Sequence, residues 1–286
     1  MNASPVNSIA RLEPGAGGLP KLILNAPDGA RAEIYLHGAQ VTSWRPVDGV
    51  ERLFLSRASP FRPGAAIWGG IPVAFPQFGR FGPLPLHGLV RLISWEWIGA
   101  DLANGQASAG FRLSASADSR RFWDHAFVAE LTVTLGGSRL AVALTVTNPG
   151  AAPFDFSAGL HTYLAVGQHQ SAVVEGLTGQ FYRDAAAGTE QRQTTPHLDF
   201  IGEVNRIYFD APAETRLVEP GRITRIQTAG FRDVVVWNPG AARCAAIPDL
   251  QPDDYQRFVC VEAVTVGAPI VLRPGECWRG EQRLLA

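Results

Sequence analysis

The 286-residue chain is 46% hydrophobic and 18% charged, which supplies a large apolar core and excludes wholesale disorder. Its formal net charge is −1 and its arginines are scattered without a basic stripe, so a nucleic-acid partner is not expected. Cys244, Cys260 and Cys277 show no CxxC spacing, which supports neither a disulfide framework nor a zinc site and reads as three thiols in or near a core in the cytoplasm.

In chain order, residues 1–20 are small, polar and broken by Gly and Pro. They read as a flexible leader ahead of a single domain over 21–286. Neither a signal-like segment nor an apolar run long enough to span a bilayer stands out, so no membrane partner is expected. AEIYLHGAQVTSW (32–44) is the first β-rich run. Then comes IWGGIPVAFPQFGRFGPLPLHGLVR (67–91), too rigid for a helix and too interrupted for a strand. Its glycines permit backbone paths that other residues resist, while Pro72, Pro76, Pro83 and Pro85 freeze the course of the chain. Such a loop makes a preorganised, aromatic-lined wall that closes on His87 and Arg91.

Strand-like runs follow at 107–116 and in LTVTLGGSRLAVALTVTN (131–148). There Leu131, Val133 and Leu135 alternate with threonines, Gly136–Gly137 break the run, and Leu140, Val142, Leu144 and Val146 resume it. That pattern is a hairpin. Further runs are FDFSAGLHTYLAV (154–166), DVVVWN (233–238), RFVCVEAVTV (257–266) and APIVLRPGECWRG (268–280). No stretch of helical length keeps a 3.6-residue period. The pattern predicts one all-β domain of two packed sheets.

Two polar residues sit oddly in these runs. Alternation puts Glu262 on one face with Phe258, Cys260 and Val264, where a carboxylate is costly unless it is paired. A strand-end Glu facing water, or one bridged to an arginine, fits that run equally well. His161 shares a face with Ser157, Gly159 and Tyr163, which suits a hydroxyl-rich ligand, although lone strand histidines are commonly structural. Other chemistries find little support. The chain has no GxSxG elbow, no HExxH or HxH spacing and no Walker-type or dinucleotide loop. Asp253–Asp254 lies near Glu262, but PDDY reads as a turn.

Taken in order, IWGGIPVAFPQFG, LHGLVR, AGLHTYL, GLTGQFYRD, VVVWNP and DYQRFVCVEA resemble the hexose-6-phosphate mutarotases (glucose-6-phosphate 1-epimerases) of the aldose 1-epimerase superfamily. The resemblance runs from about residue 30 to the C-terminus and implies a galactose-mutarotase-like β-supersandwich. It puts the catalytic pair on His161 and Glu262, places Arg91 and Asp184 against the sugar, and gives His87 a hydroxyl to bind. Two positions depart from the family pattern. Trp68 stands where RGGIP has a phosphate-contacting arginine, and Leu86 where a glutamine commonly precedes HG. Tyr163, Trp237 and Gln77 are further candidates for the site's lining.

The implied activity is interconversion of the α and β anomers of an aldohexose, a hexose 6-phosphate foremost. A neutral galactose/glucose mutarotase and a non-catalytic carbohydrate-binding protein are the alternatives. The implied partner is a small sugar or sugar phosphate, with no cofactor or metal, and the chain is expected to be a monomer or weak homo-oligomer. In the expected mechanism Glu262 takes the O1 proton while a protonated His161 donates to the ring oxygen, the carboxylate keeping the imidazole charged.

Overall fold

Nearly every element of the computed structural model, which describes residues 9–286, is an antiparallel strand. Two short α-helices, Ala117–Arg120 and Gly240–Ala245, interrupt them among the described residues. None is long and apolar enough to cross a membrane. The strands form three sheets of four, eight and nine strands, where the sequence pattern predicts two. The additional sheet is the N-terminal meander Ala10–Pro14, Pro20–Asn25, Arg31–Tyr35 and Gln40–Arg45.

That meander narrows the flexible leader. Ala10–Pro14 is a strand paired with Pro20–Asn25, and Ile9 and Ala10 are buried in the main core. The pairing is a local hairpin, so the Gly/Pro content that reads as a loose leader is the turn between two strands, with Gly17 and Gly18 at positive φ. Residues 1–8 lie outside the described residues.

The hairpin forms as the pattern predicts. Val128–Gly136 pairs with Arg139–Thr147, and Gly136 opposite Arg139 leaves Gly137–Ser138 as a two-residue turn with Gly137 at φ 60°. Its apolar positions Leu131, Val133, Leu140 and Val142 are buried in the cluster that the three sheets share.

The eight-stranded sheet has a different apolar set on each face. Its central strand, Phe258–Leu272, sends Val259, Val261 and Ala263 into the large core and Phe258, Cys260 and Val264 into a second cluster with Phe78, Tyr163 and Trp237. Burial on both sides raises the value of polar positions on the second face, where the site lies. Of the three thiols, Cys244 and Cys260 are buried, whereas Cys277 is exposed near a strand start. PDDY is a turn, as read, and the buried Asp254 carboxylate accepts from Ser56 Oγ at 3.1 Å and the Gln251 N–H at 2.9 Å.

Candidate active site

Strand register builds the floor of the site. Phe154–Leu160 and Tyr163–Ala165 both pair with Phe258–Leu272, with Leu160 opposite Ala263 and Tyr163 opposite Cys260. The two pairings share one register across the break at His161–Thr162, which places His161 across from Glu262. The backbone holds this break. The His161 N–H donates to Pro72 O at 2.9 Å, and the Val261 N–H donates to Thr162 O at 3.2 Å. His161 Nε2 lies 3.5 Å from Glu262 Oε1, and the imidazole stacks on the Tyr163 ring at 4.7 Å and 12°.

The 67–91 segment builds the wall. It threads between the N-terminal meander and the site sheet, donating from Ile71 N–H to Val41 O and accepting at Gly70 O from Tyr163 N–H. Gly70, at φ 63°, passes so close to Val41 that any Cβ would collide with that carbonyl. Gly88, at φ 72°, is held equally close against Phe75. His87 itself adopts φ 61°, an uncommon conformation for a residue with a side chain. Its N–H donates to Gly79 O, and its Nδ1 accepts from the Gly79 N–H at 3.2 Å, which leaves the neutral ring's proton on Nε2. The His87 and His161 rings are 5.0 Å apart. The Arg91 guanidinium is anchored by a 2.8 Å hydrogen bond to Leu86 O.

Floor and wall enclose a cavity of about 500 Å³. His87, Arg91, His161 and Glu262 line it, and so do Tyr163 and Trp237. Trp68 and Leu86, the two departures from the family pattern, also face it, so the tryptophan is part of the lining. Arg80 and Arg243 line it too, which makes three guanidiniums against one carboxyl, Glu262. Arg80 is exposed and forms no salt bridge among the described residues, and Arg243 reaches Glu203 only at 3.5 Å.

Burial dominates the proton affinities. It raises the Glu262 carboxyl well above its ordinary 4.5. It lowers His161 from 6.5 to about 3, and the Arg91 charge adds to that shift. Burial also lowers His87 to about 2, aided by His161, Arg91 and Arg80. Burial therefore works against the charged form of both His161 and Glu262. The expectation that the carboxylate keeps His161 protonated meets an opposing effect, because desolvation lowers the proton affinity of the buried imidazole. Glu262 Oε2 and His161 Nδ1 are buried without a hydrogen-bond partner among the described residues, so the pair has unused polar capacity.

Two sequence candidates fall elsewhere. Asp184 ends the strand Phe181–Asp184 and turns its carboxylate to the N–H groups of Ala186 and Ala187, 3.6 Å from Arg206. Its neighbour Ala185 reaches the cavity and Asp184 does not. Gln77 is committed to the loop: its amide donates to Gly79 O and Leu84 O and accepts from the Leu84 N–H.

The Aldose 1-epimerase family matches residues 20–285. A relative from Cenchrus ciliaris, named "Putative glucose-6-phosphate 1-epimerase", is 36% identical over 97% of this chain and 88% of its own. The crystal structure of a "putative mutarotase" from Salmonella typhimurium superimposes with a TM-score of 0.90, at 27% identity over 99% of this chain and 95% of that one. The chain belongs to the aldose 1-epimerase family. A galactose mutarotase related enzyme from Lactobacillus acidophilus shares the fold at a TM-score of 0.73 and 14% identity, covering 93% of this chain and 96% of that one. The galactose-mutarotase-like fold implied by the motifs is thus the fold observed.

In this aldose 1-epimerase family member, sequence reasoning passed over Arg243 and Asn205, which line the cavity from other parts of the chain. Arg243 sits on the helix Gly240–Ala245, directly after the VVVWNP motif. That adjacency was its only signal, and it says nothing about which way the helix faces.

Proposed function

We propose that the chain catalyses interconversion of the α and β anomers of an aldohexose 6-phosphate by acid–base ring opening. The observation that carries this reading is the His161–Glu262 pair, 3.5 Å apart, at the floor of a cavity lined by three guanidiniums and no other carboxyl. Ring opening removes the O1–H proton, breaks C1–O5 as the aldehyde forms, and delivers a proton to O5. Closure on the other aldehyde face returns both protons, so no group is consumed.

In this reading Glu262 takes the O1 proton and His161 donates to O5. The working form is the ionic pair of Glu262 carboxylate and His161 imidazolium, which proton transfer within the pair reaches. His87, a neutral Nε2–H donor, is suited to a sugar hydroxyl. The phosphate faces Arg80 and Arg243 in place of the arginine that this family commonly carries at position 68.

Trp68 and Leu86 favour a second reading, a neutral aldose stacked on an apolar wall. Anomeric exchange by NMR, with glucose 6-phosphate, glucose and galactose run side by side, separates the two. Enzyme-dependent exchange of the ester alone supports the phosphate reading. Exchange of free sugars alone establishes the neutral one. Silence on all three leaves a binding role on this fold.

A further inference from the structure

Cys260 is a buried thiol that the anomeric reaction does not use, and it lies beside the two residues that the reaction does use. We propose that His161 Nε2, Cys260 Sγ and the Glu262 carboxylate form a reversible site for a thiophilic divalent cation such as Zn²⁺, and that the bound cation blocks the catalytic pair. The block rests on the function proposed above, whereas the binding does not.

The placement follows from the sheet. Residues 260 and 262 are i, i+2 on one strand and so share its site face, and the register sets His161 across from Glu262. The three ligand atoms lie within 4.8 Å of one another, and the His161–Glu262 pair is already at 3.5 Å. A tetrahedral zinc with bonds of about 2.0–2.3 Å holds its donor atoms about 3.5 Å apart. Rotation of the Cys260 side chain by about 1 Å at Sγ closes the set. Glu262 Oε2, buried without a partner, has the lone pairs that a cation would take up.

Two further features set the character of the site. Two of the three ligand residues, His161 and Glu262, line the cavity, so an exchangeable ligand can complete a tetrahedral set from that side. His161 Nδ1 lacks the hydrogen-bond acceptor that usually orients a ligating imidazole, which makes the site weak and reversible. Binding displaces the Cys260 thiol proton, and the resulting thiolate together with the Glu262 carboxylate balances the charge of the dication. Mg²⁺ and Ca²⁺, which gain nothing from a thiolate, do not bind.

The test is calorimetric titration of the full chain with Zn²⁺, in wild type, Cys277→Ser and Cys260→Ser. The expected result is one equivalent bound, unchanged in Cys277→Ser and at least about tenfold weaker in Cys260→Ser, since losing a ligand costs no less than losing its outer partner. Cd²⁺ added to the Cys277→Ser protein should develop a sulfur-to-cadmium absorption band, and Glu262→Gln in that background should weaken it. This second arm decides if Cys260→Ser does not fold. Equal Zn²⁺ affinity in Cys260→Ser, or no cadmium band, overturns the site. In the activity arm, Zn²⁺ stops anomeric exchange in wild type but not in Cys260→Ser. A chain that binds Zn²⁺ yet exchanges no sugar overturns the proposed function and leaves the metal site standing.

Discussion

The floor and the wall of the cavity are held by different physics. On the floor, His161 and Glu262 owe their 3.5 Å separation to the register of two antiparallel strands, which repeats whatever the local loops do. On the wall, His87 and Arg91 owe their positions to a glycine- and proline-rich segment that wedges against the N-terminal meander and folds its own Gly88 back on Phe75. A floor of this kind tolerates changes in its surroundings but not in its reacting groups. The wall should show the reverse pattern, with small backbone changes doing more damage than many side-chain changes.

The largest expected effect is on the floor. His161→Asn and Glu262→Gln should each lower anomeric exchange on the order of 10²–10⁴-fold with an unchanged circular dichroism spectrum. Full activity in either variant would remove that residue from the mechanism.

Next in size is the wall. Gly70→Ala forces a Cβ into the Val41 carbonyl at a positive φ, and should cost about 2–4 kcal/mol in denaturant unfolding. An unfolding midpoint equal to wild type would show that the wedge is softer than its packing indicates.

Smaller effects separate charge from shape. Arg243→Ala and Arg80→Ala should each raise KM for the sugar phosphate about tenfold, the size of one charge-assisted contact at a partly exposed site. Free-sugar kinetics should not change. An equal effect on free glucose would show that these arginines shape the cavity rather than hold a phosphate. Asp184→Asn should cost about 1 kcal/mol or less and leave exchange nearly intact, because the carboxylate caps its own turn. A collapse of turnover in that variant would bring Asp184 back to the sugar.

The buried histidine gives a pH signature. His161 titrates near 3 in the folded chain against 6.5 ordinarily, so between those values the unfolded chain binds more protons. Stability should therefore fall as pH drops from 6.5 towards 3, and His87 adds in the same direction. Glu262 acts oppositely: its raised affinity loses stability as pH rises above 4.5. Comparing His161→Asn with its parent in a Glu262→Gln background isolates the histidine. An unchanged slope there would mean that His161 is solvated in solution.

The strand faces of His161 and Glu262 were legible in the sequence because strand alternation has a fixed period of two. Glu262 among Phe258, Cys260 and Val264 had to share their face, and His161 had to share that of Tyr163. The motif order supplied the pairing of those two runs. Asp184 stands outside the cavity lining because its motif, FYRD, fixes the strand but not the direction of a side chain at the strand's end, where its own turn offers two N–H donors. Arg243 was missed because its motif stops one element short.

By itself the sequence determined the all-β class, the 131–148 hairpin and the faces on which His161 and Glu262 lie, since each depends on alternation and turn residues within a few positions. The tertiary structure decided the rest. It packed Ile9 and Ala10 into the main core, gathered Arg80, Arg91 and Arg243 around a single carboxyl, and buried that carboxyl beside a histidine, which shifts both away from their charged forms. These outcomes depend on which distant segments exclude water from one another. Desolvation is a property of the assembled cavity, so no local pattern of residues encodes it.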